Sequence, residues 1–202
     1  KHNVKNFYFA SSAAVYGDYK KKFNENDITR PKNYYGYTKL KFENYLKKQN
    51  KINICIFRFF NIVGPSIYSK YNIKSVVNIL NEKFLSKKDA FYLNGDNHDT
   101  KDGTVCRDFI HVYDIVRACY KIFDSKRKKS PLILNIGTGK SLSIMDLIKE
   151  LSIIHKKKIK IIIKKKSNSD CPEVIADVSK IYKLFSFKPK INNAKRLCGS
   201  IN

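Results

Sequence analysis

Tyr35 and Lys39 stand four residues apart in the stretch NYYGYTKLKFENYL, residues 33–46, and on a helix such residues are neighbours. A phenol beside an ammonium is a device for moving protons. The phenol titrates near pH 10, so as a base at neutral pH it needs about 4 kcal/mol of help from nearby positive charge. Spacing alone does not single this pair out, because Tyr16 and Lys20 are also four apart and the chain holds 13 tyrosines and 41 Lys+Arg. Position does. Ser12 falls where the apolar stretch KNFYFASS breaks into small residues, and the Tyr35–Lys39 segment reads as the next helix. The carboxyl edge of a parallel sheet is where α/β folds bind ligands. Tyr16 and Lys20, in a lysine-rich segment, have no such setting.

The elements that must position these residues alternate. Residues 5–17 predict a strand with a loop exit, 18–32 a polar loop containing Pro31, and 34–48 a helix with Leu40, Phe42, Tyr45 and Leu46 at apolar positions. Residues 52–64 form a continuous β-branched and aromatic run stopped by Gly64–Pro65, the pattern of a strand buried on both faces of a parallel sheet. Strand, helix, strand predicts a right-handed βαβ unit. Further along, the pattern predicts a helix over 71–86, a short strand in AFYLNG, and a polar loop over 95–104. Strand and helix follow over 106–123 and again over 132–151, where Ser143 and Asp146 form a capping box. A strand over 158–163 and a last helix over 177–185 complete an α/β, doubly wound order.

Several tempting motifs fail on chemistry. GDNHDTKDGT (95–104) lacks the alternating acidic ligands and closing Glu of a calcium loop. GTGKS (137–141) has Leu134 where a phosphate-binding loop needs glycine, so its glycines read as a tight turn. The four histidines are dispersed without metal-ligand spacing, and His111 reads as a core residue or one that supports a site from behind; no metal is expected. No GxSxG elbow supports a serine hydrolase. The formal charge of +24 raises nucleic-acid binding. Yet the lysine clusters at 19–22, 125–129 and 155–166 lack interleaved aromatics, and no nucleic-acid motif is visible. Nucleic acid is therefore not an expected partner, and the charge reads as solvated surface. Five scattered cysteines without a CxxC suit a reducing compartment. No apolar run approaches the roughly 20 residues of a membrane span and no leader pattern opens the sequence, so a cytoplasmic chain is expected.

SSAAVYG, YYGYTKLKFE, RFFNIVGP, DGTVCRDFIHVYD and NIGTG, in that order, resemble the motifs of the extended short-chain dehydrogenase/reductases. The likeness runs to about residue 190, with DGTVCRDFIHV and SDCPEVIADVSK its more specific parts. It implies a Rossmann-type sheet with a smaller α/β substrate domain, and NAD-dependent inversion at C4 of UDP-glucose and UDP-galactose through a 4-keto sugar, an isomerase step of galactose metabolism. Another nucleotide-sugar reductase of the family is the alternative; a 4,6-dehydratase is disfavoured by Ser12-Ala13-Ala14, where an Asp–Glu pair would be needed after a threonine. A non-catalytic or nucleic-acid-binding remnant of the fold is the alternative of another class.

By position, the resemblance implies Tyr35 as base, Lys39 as its partner and a contact of the nicotinamide ribose, and Ser12 as the hydroxyl at the sugar O4. It implies Phe60 against the nicotinamide, Asn61 and Arg107 on the UDP diphosphate, Tyr92 to Asn94 at the uracil, Asp170 at the ribose and Val174 in the sugar pocket. Ser167 stands where the family has an arginine, with Lys165 or Lys166 as substitutes. No GxxGxxG occurs in the 202 residues. Residues 1–65 and 104–124 are expected to be part of an NAD domain, and 66–103 and 125–202 to form the nucleotide-sugar domain. The first half of the NAD domain is expected to be absent, leaving an apolar sheet edge and an inactive chain, whereas the whole protein is expected to be a homodimer.

Overall fold

In the computed structural model, residues 4–17, 19, 21–65, 75–86, 90–125, 130–166 and 171–201 are described. The predicted βαβ unit forms the first layer. Strand β1 (Asn6–Ser12) leads through a single 3-10 turn (Ala13–Val15) and a short strand β2 (Lys22–Phe23) to helix α1 (Tyr34–Leu46) and strand β3 (Asn53–Phe59). β1 and β3 pair in parallel, and β3 pairs in parallel with β8 (Leu132–Ile136), giving a sheet of order β1-β3-β8. β1 is the outer strand of that sheet, with Phe7 and Tyr8 partly exposed.

The apolar run over 52–64 is not one strand. It breaks at Phe60, and β4 (Asn61–Val63) pairs with β7 (Phe109–His111) in a separate sheet. The sequence carries no mark of such a switch, because the run stays mostly apolar across Phe60, although β4 leaves Asn61 and Ile62 exposed. The expected loop over 18–32 likewise contains β2, which pairs with β11 (Glu173–Ala176); β11 in turn pairs with β6 (Cys106–Arg107), and β6 with β9 (Leu142–Ser143). β2, β6 and β9, of two residues each, are too short to show a period in sequence.

Of the helix expected over 71–86, residues 71–74 lie outside the described residues, and the rest is observed as α2 (Val76–Leu85), with Ser75 as N-cap. β5 (Ala90–Asn94) ends in the turn at Gly95 and pairs with β10 (Lys160–Lys164). α3 (Val112–Phe123) starts on the His111 side chain, whose Nδ1 accepts the Tyr113 amide. α4 (Ile144–His155) carries the capping box of Ser143 and Asp146. α5 (Ser179–Phe185) matches the expected last helix, but a further one, α6 (Ala194–Gly199), follows it. α6 packs Leu197 and Cys198 into a core with Leu80 of α2 and Leu147 of α4.

Period-two alternation on β3 explains how the first layer holds α1. Cys55 and Phe57 face α3, while Ile54 and Ile56 face α1 and touch Leu46. Arg58 continues the α1-facing row. Across the sheet it lies in register with Ser11 on β1 and Asn135 on β8. All three are buried. Opposite them Glu43 of α1 accepts from Arg58 Nε at 3.0 Å and NH2 at 2.6 Å, and from Ser11 Oγ at 2.6 Å. Tyr16 stacks under the Arg58 guanidinium at 4.7 Å and donates to Asn135 Oδ1 at 2.6 Å. Burial works against the Arg58 charge, but the bonds to Glu43 more than offset it and its guanidinium titrates above its ordinary range. Tyr16, read in the sequence as part of a lysine-rich loop, is fully buried; Lys20 lies outside the described residues.

Burial pushes the Tyr16 phenol up to about 12, against the pull of Arg58 and Asn135. An unfolded tyrosine titrates near 10. Between those values the unfolded chain loses the proton while the folded chain keeps it, so Tyr16 stabilises the fold below pH 10 and that contribution fades as pH rises towards 12. The expected loss is about 2–3 kcal/mol. Urea denaturation at pH 9 and pH 11.5 should show a shallower alkaline decline in Tyr16→Phe than in the wild type; equal slopes would show that Tyr16 does not titrate in this window.

Candidate active site

The last residue of β1, Ser12, turns the chain. Its backbone is extended and its Oγ accepts the Ala14 amide at 3.2 Å. A hydroxyl that accepts there keeps its proton available for another oxygen. The start of α1 comes close to the same turn. Asn33 caps it by accepting the Gly36 amide at 2.8 Å. A Cβ on Gly36 would sit 2.4 Å from the Ala14 carbonyl oxygen, so glycine is what allows the helix and the serine turn to touch.

Tyr35 is 55% exposed on the first turn of α1. Lys39 lies one turn on and donates from Nζ to the Ala10 carbonyl of β1 at 2.8 Å. The same Nζ is 5.6 Å from the Tyr35 ring centre and 5.2 Å from that of Phe9. The ammonium is thus tied to the strand that carries Ser12 and stands beside the phenol.

Five of the expected residues, Ser12, Phe60, Asn61, Arg107 and Val174, border one cleft of about 330 Å³. Ala13, Ala14, Gly17, Asn33 and Phe59 complete its wall. Backbone bonds assemble it from three sheets. The Phe60 amide donates to Ile136 O, the Asn61 amide to Asp108 O, and the Asp108 amide to Val174 O. Asn61 Nδ2 also donates to Asp108 O at 3.2 Å. Arg107 lies in register with Val174, and its NH1 donates to the carbonyls of Cys106 and Cys171, each at 2.8 Å. Of the two rings, Phe60 is turned inward among Val15, Tyr16, Phe23 and Ala176, and Phe59 is the one left partly exposed. Phe59 and Asn33 are wall residues that sequence reasoning did not pick.

Tyr35 and Lys39 are not part of this wall; Asn33, the cap of their helix, is. Tyr92 and Asn94 lie elsewhere, exposed on β5, with Lys164 Nζ 4.2 Å from the Tyr92 ring centre. Asp170, Ser167 and the rest of 167–170 lie outside the described residues.

Beneath the cleft Asp108, missed in sequence, is fully buried. Its carboxylate accepts from Thr138 N at 2.7 Å, Thr138 Oγ1 at 2.6 Å, Gly139 N at 2.9 Å and Ala176 N at 3.1 Å. Burial raises its titration above the ordinary carboxylate range while those four bonds act against the rise. The GTG turn, with Gly139 at φ +72°, does bind an anion, and that anion is the protein's own side chain.

Residues 1–137 match the NAD dependent epimerase/dehydratase family. The chain is 31% identical over 196 residues to UDP-glucose 4-epimerase of Mycoplasma genitalium, covering 90% of this chain and 57% of that protein. It is 31% identical over 205 residues to UDP-glucose 4-epimerase of Dictyostelium discoideum, covering 95% of this chain and 60% of that protein. Its fold superposes with TM-score 0.87 and 29% identity on UDP-glucose 4-epimerase from Bifidobacterium longum in complex with NAD+ and UDP, over 98% of this chain and 63% of that one. The chain therefore spans about three-fifths of the length of the relatives it matches. With more than half of its residues matched by the family and the family's parallel α/β architecture in its fold, this chain belongs to the NAD dependent epimerase/dehydratase family.

Proposed function

We propose that the whole protein carrying this chain inverts C4 of UDP-glucose and UDP-galactose, using NAD, as a cytoplasmic homodimer. The observation that carries the reading is the Lys39 ammonium held between the Ala10 carbonyl and the Tyr35 ring, on the strand that ends in Ser12. The residues present fit the nicotinamide end of such a cofactor. Lys39 has protons left to donate beyond Ala10, and Phe59 offers a partly open ring at the cleft wall. They do not supply its pyrophosphate site: no GxxGxxG occurs, and the Thr138 and Gly139 amides of the GTG turn are taken by Asp108.

The chemistry that bound NAD supplies is hydride acceptance from sugar C4 and its return to the other face of the 4-keto sugar. Within this chain, Ser12 holds the O4 hydroxyl and Tyr35 takes its proton, with Lys39 stabilising the phenolate. Asn61 and Arg107 bind the diphosphate, and Phe60 supports the nicotinamide side from below. Tyr92 and Asn94 take the uracil, Asp170 the ribose, and Val174 borders the sugar. Supporting this division, Ser12, Asn61, Arg107 and Val174 share one cleft.

In the natural protein, Tyr35→Phe should lower epimerase turnover by a factor of about a thousand while UDP affinity stays within threefold, because the base acts in the transition state. Turnover within tenfold of the wild type would remove the phenol from the mechanism. Val174 is of middling size, so UDP-N-acetylhexosamines should be accepted to some degree, and Val174→Tyr should favour UDP-hexoses by about tenfold, since one pocket contact is worth about 1–3 kcal/mol. An unchanged ratio of rates would mean that this position controls nothing. Isothermal titration of the 202-residue chain with NAD should show no binding at micromolar concentrations; micromolar affinity would show that it holds a pyrophosphate site of another kind.

A further inference from the structure

Beneath the Tyr35–Lys39 pair lies a buried ion pair that the proposed chemistry does not use. Tyr35, Lys39 and Glu43 follow one another at four-residue steps on α1. Glu43 and Arg58 are 0% and 1% exposed. Every bond that Glu43 makes to the sheet is directional: two from Arg58 on β3 and one from Ser11 on β1, the residue before Ser12. Lys47, on the next turn of α1, approaches the same carboxylate at 3.8 Å. Among the fully buried residues of α1 the one large apolar side chain is Leu46, while Leu40 packs at a core edge and Phe42 lies against Phe9. The neighbouring α1-facing positions of β3 are Ile54 and Ile56, so the row could have been closed with another apolar residue. Buried ion pairs are commonly replaced by apolar residues without loss of stability. Stability therefore does not account for an arginine and a glutamate here, whereas a requirement for one position of the helix does.

We infer that Glu43 and Arg58 are positioning residues. Their ion pair, joined by Ser11, locks α1 against β1 and β3 so that the Tyr35 phenol and the Ser12 hydroxyl address the same sugar oxygen. A slip of one helical turn moves a side chain by about 5.4 Å, enough to separate the two. The inference rests on the epimerase reading above.

The double variant Glu43→Leu/Arg58→Met keeps the core filled and removes the directional bonds. Its urea midpoint should stay near that of the wild type. In the natural protein, kcat should fall by about tenfold or more with KM for the UDP-sugar within about threefold, because positioning acts on the transition state. In the 202-residue chain, pulsed acetylation read by mass spectrometry should label Lys39 several-fold faster than in the wild type, with the other lysines as internal controls, since its bond to Ala10 loosens. Unchanged kcat together with unchanged Lys39 labelling overturns the inference. If the wild type shows no epimerase turnover, the functional reading fails, and Lys39 labelling still decides whether the ion pair places the helix. If the double variant does not fold, Glu43→Gln, which keeps the shape, is put through the same two measurements, and no change in either overturns the inference.

Discussion

A carboxylate and a guanidinium buried together between one helix and three strands set the terms for the rest of this molecule. Removing either ion from water is unfavourable by several kcal/mol, and attraction compensates only when the geometry is good and the remaining donors and acceptors are satisfied. Here they are. Both Glu43 oxygens accept from Arg58, Ser11 adds a third bond, Arg58 NH1 reaches the Glu25 carbonyl at 3.3 Å, and Tyr16 covers the guanidinium face. Asn135 extends the network by accepting from Tyr16 and donating to the Phe23 carbonyl. An apolar face tolerates small slides; a bidentate pair does not. The helix with Tyr35 and Lys39 is thereby referred to the strand end with Ser12.

Asp108 plays the matching part on the other side of the cleft. It gathers the end of β8, the start of β7 and the end of β11 around one carboxylate. Gly137 permits this closeness, since a Cβ there would lie 2.6 Å from Asp108 Oδ2. The cleft floor is then backbone held by backbone, with Asn61 and Val174 both bonded to the Asp108 main chain. Two buried acids, each fully satisfied, carry the walls of a site whose own residues are mostly exposed or partly so.

Among the described residues no lysine is buried. On the edge strand β10, Lys160 and Lys164 are exposed, and edge lysines discourage pairing with a further strand. β1 has no such guard: its outward residues include Phe7 and Tyr8, and the neighbouring face of α3 exposes Val116, Tyr120 and Phe123. No described helix is long and apolar enough to cross a membrane.

Alternation of apolar runs and helical spacing was enough, without coordinates, to derive the parallel α/β order, the capping box at Ser143 and the pairing of Tyr35 with Lys39, because these depend on local periodicity and neighbouring residues. The strand break at Phe60, the short strands β2, β6 and β9 and the final helix α6 were not legible, since two or three residues show no period and a mostly apolar run does not mark where it bends. Nor could sequence tell that Tyr16 is core, that Phe59 joins Phe60 on the cleft wall, or that the GTG turn closes on Asp108. Those facts depend on partners between 30 and 119 residues away in the chain, as in Thr138 to Asp108 and Tyr16 to Asn135. Side-chain type and spacing determined which groups could do the chemistry; only the long-range pairing of strands decided which of them meet.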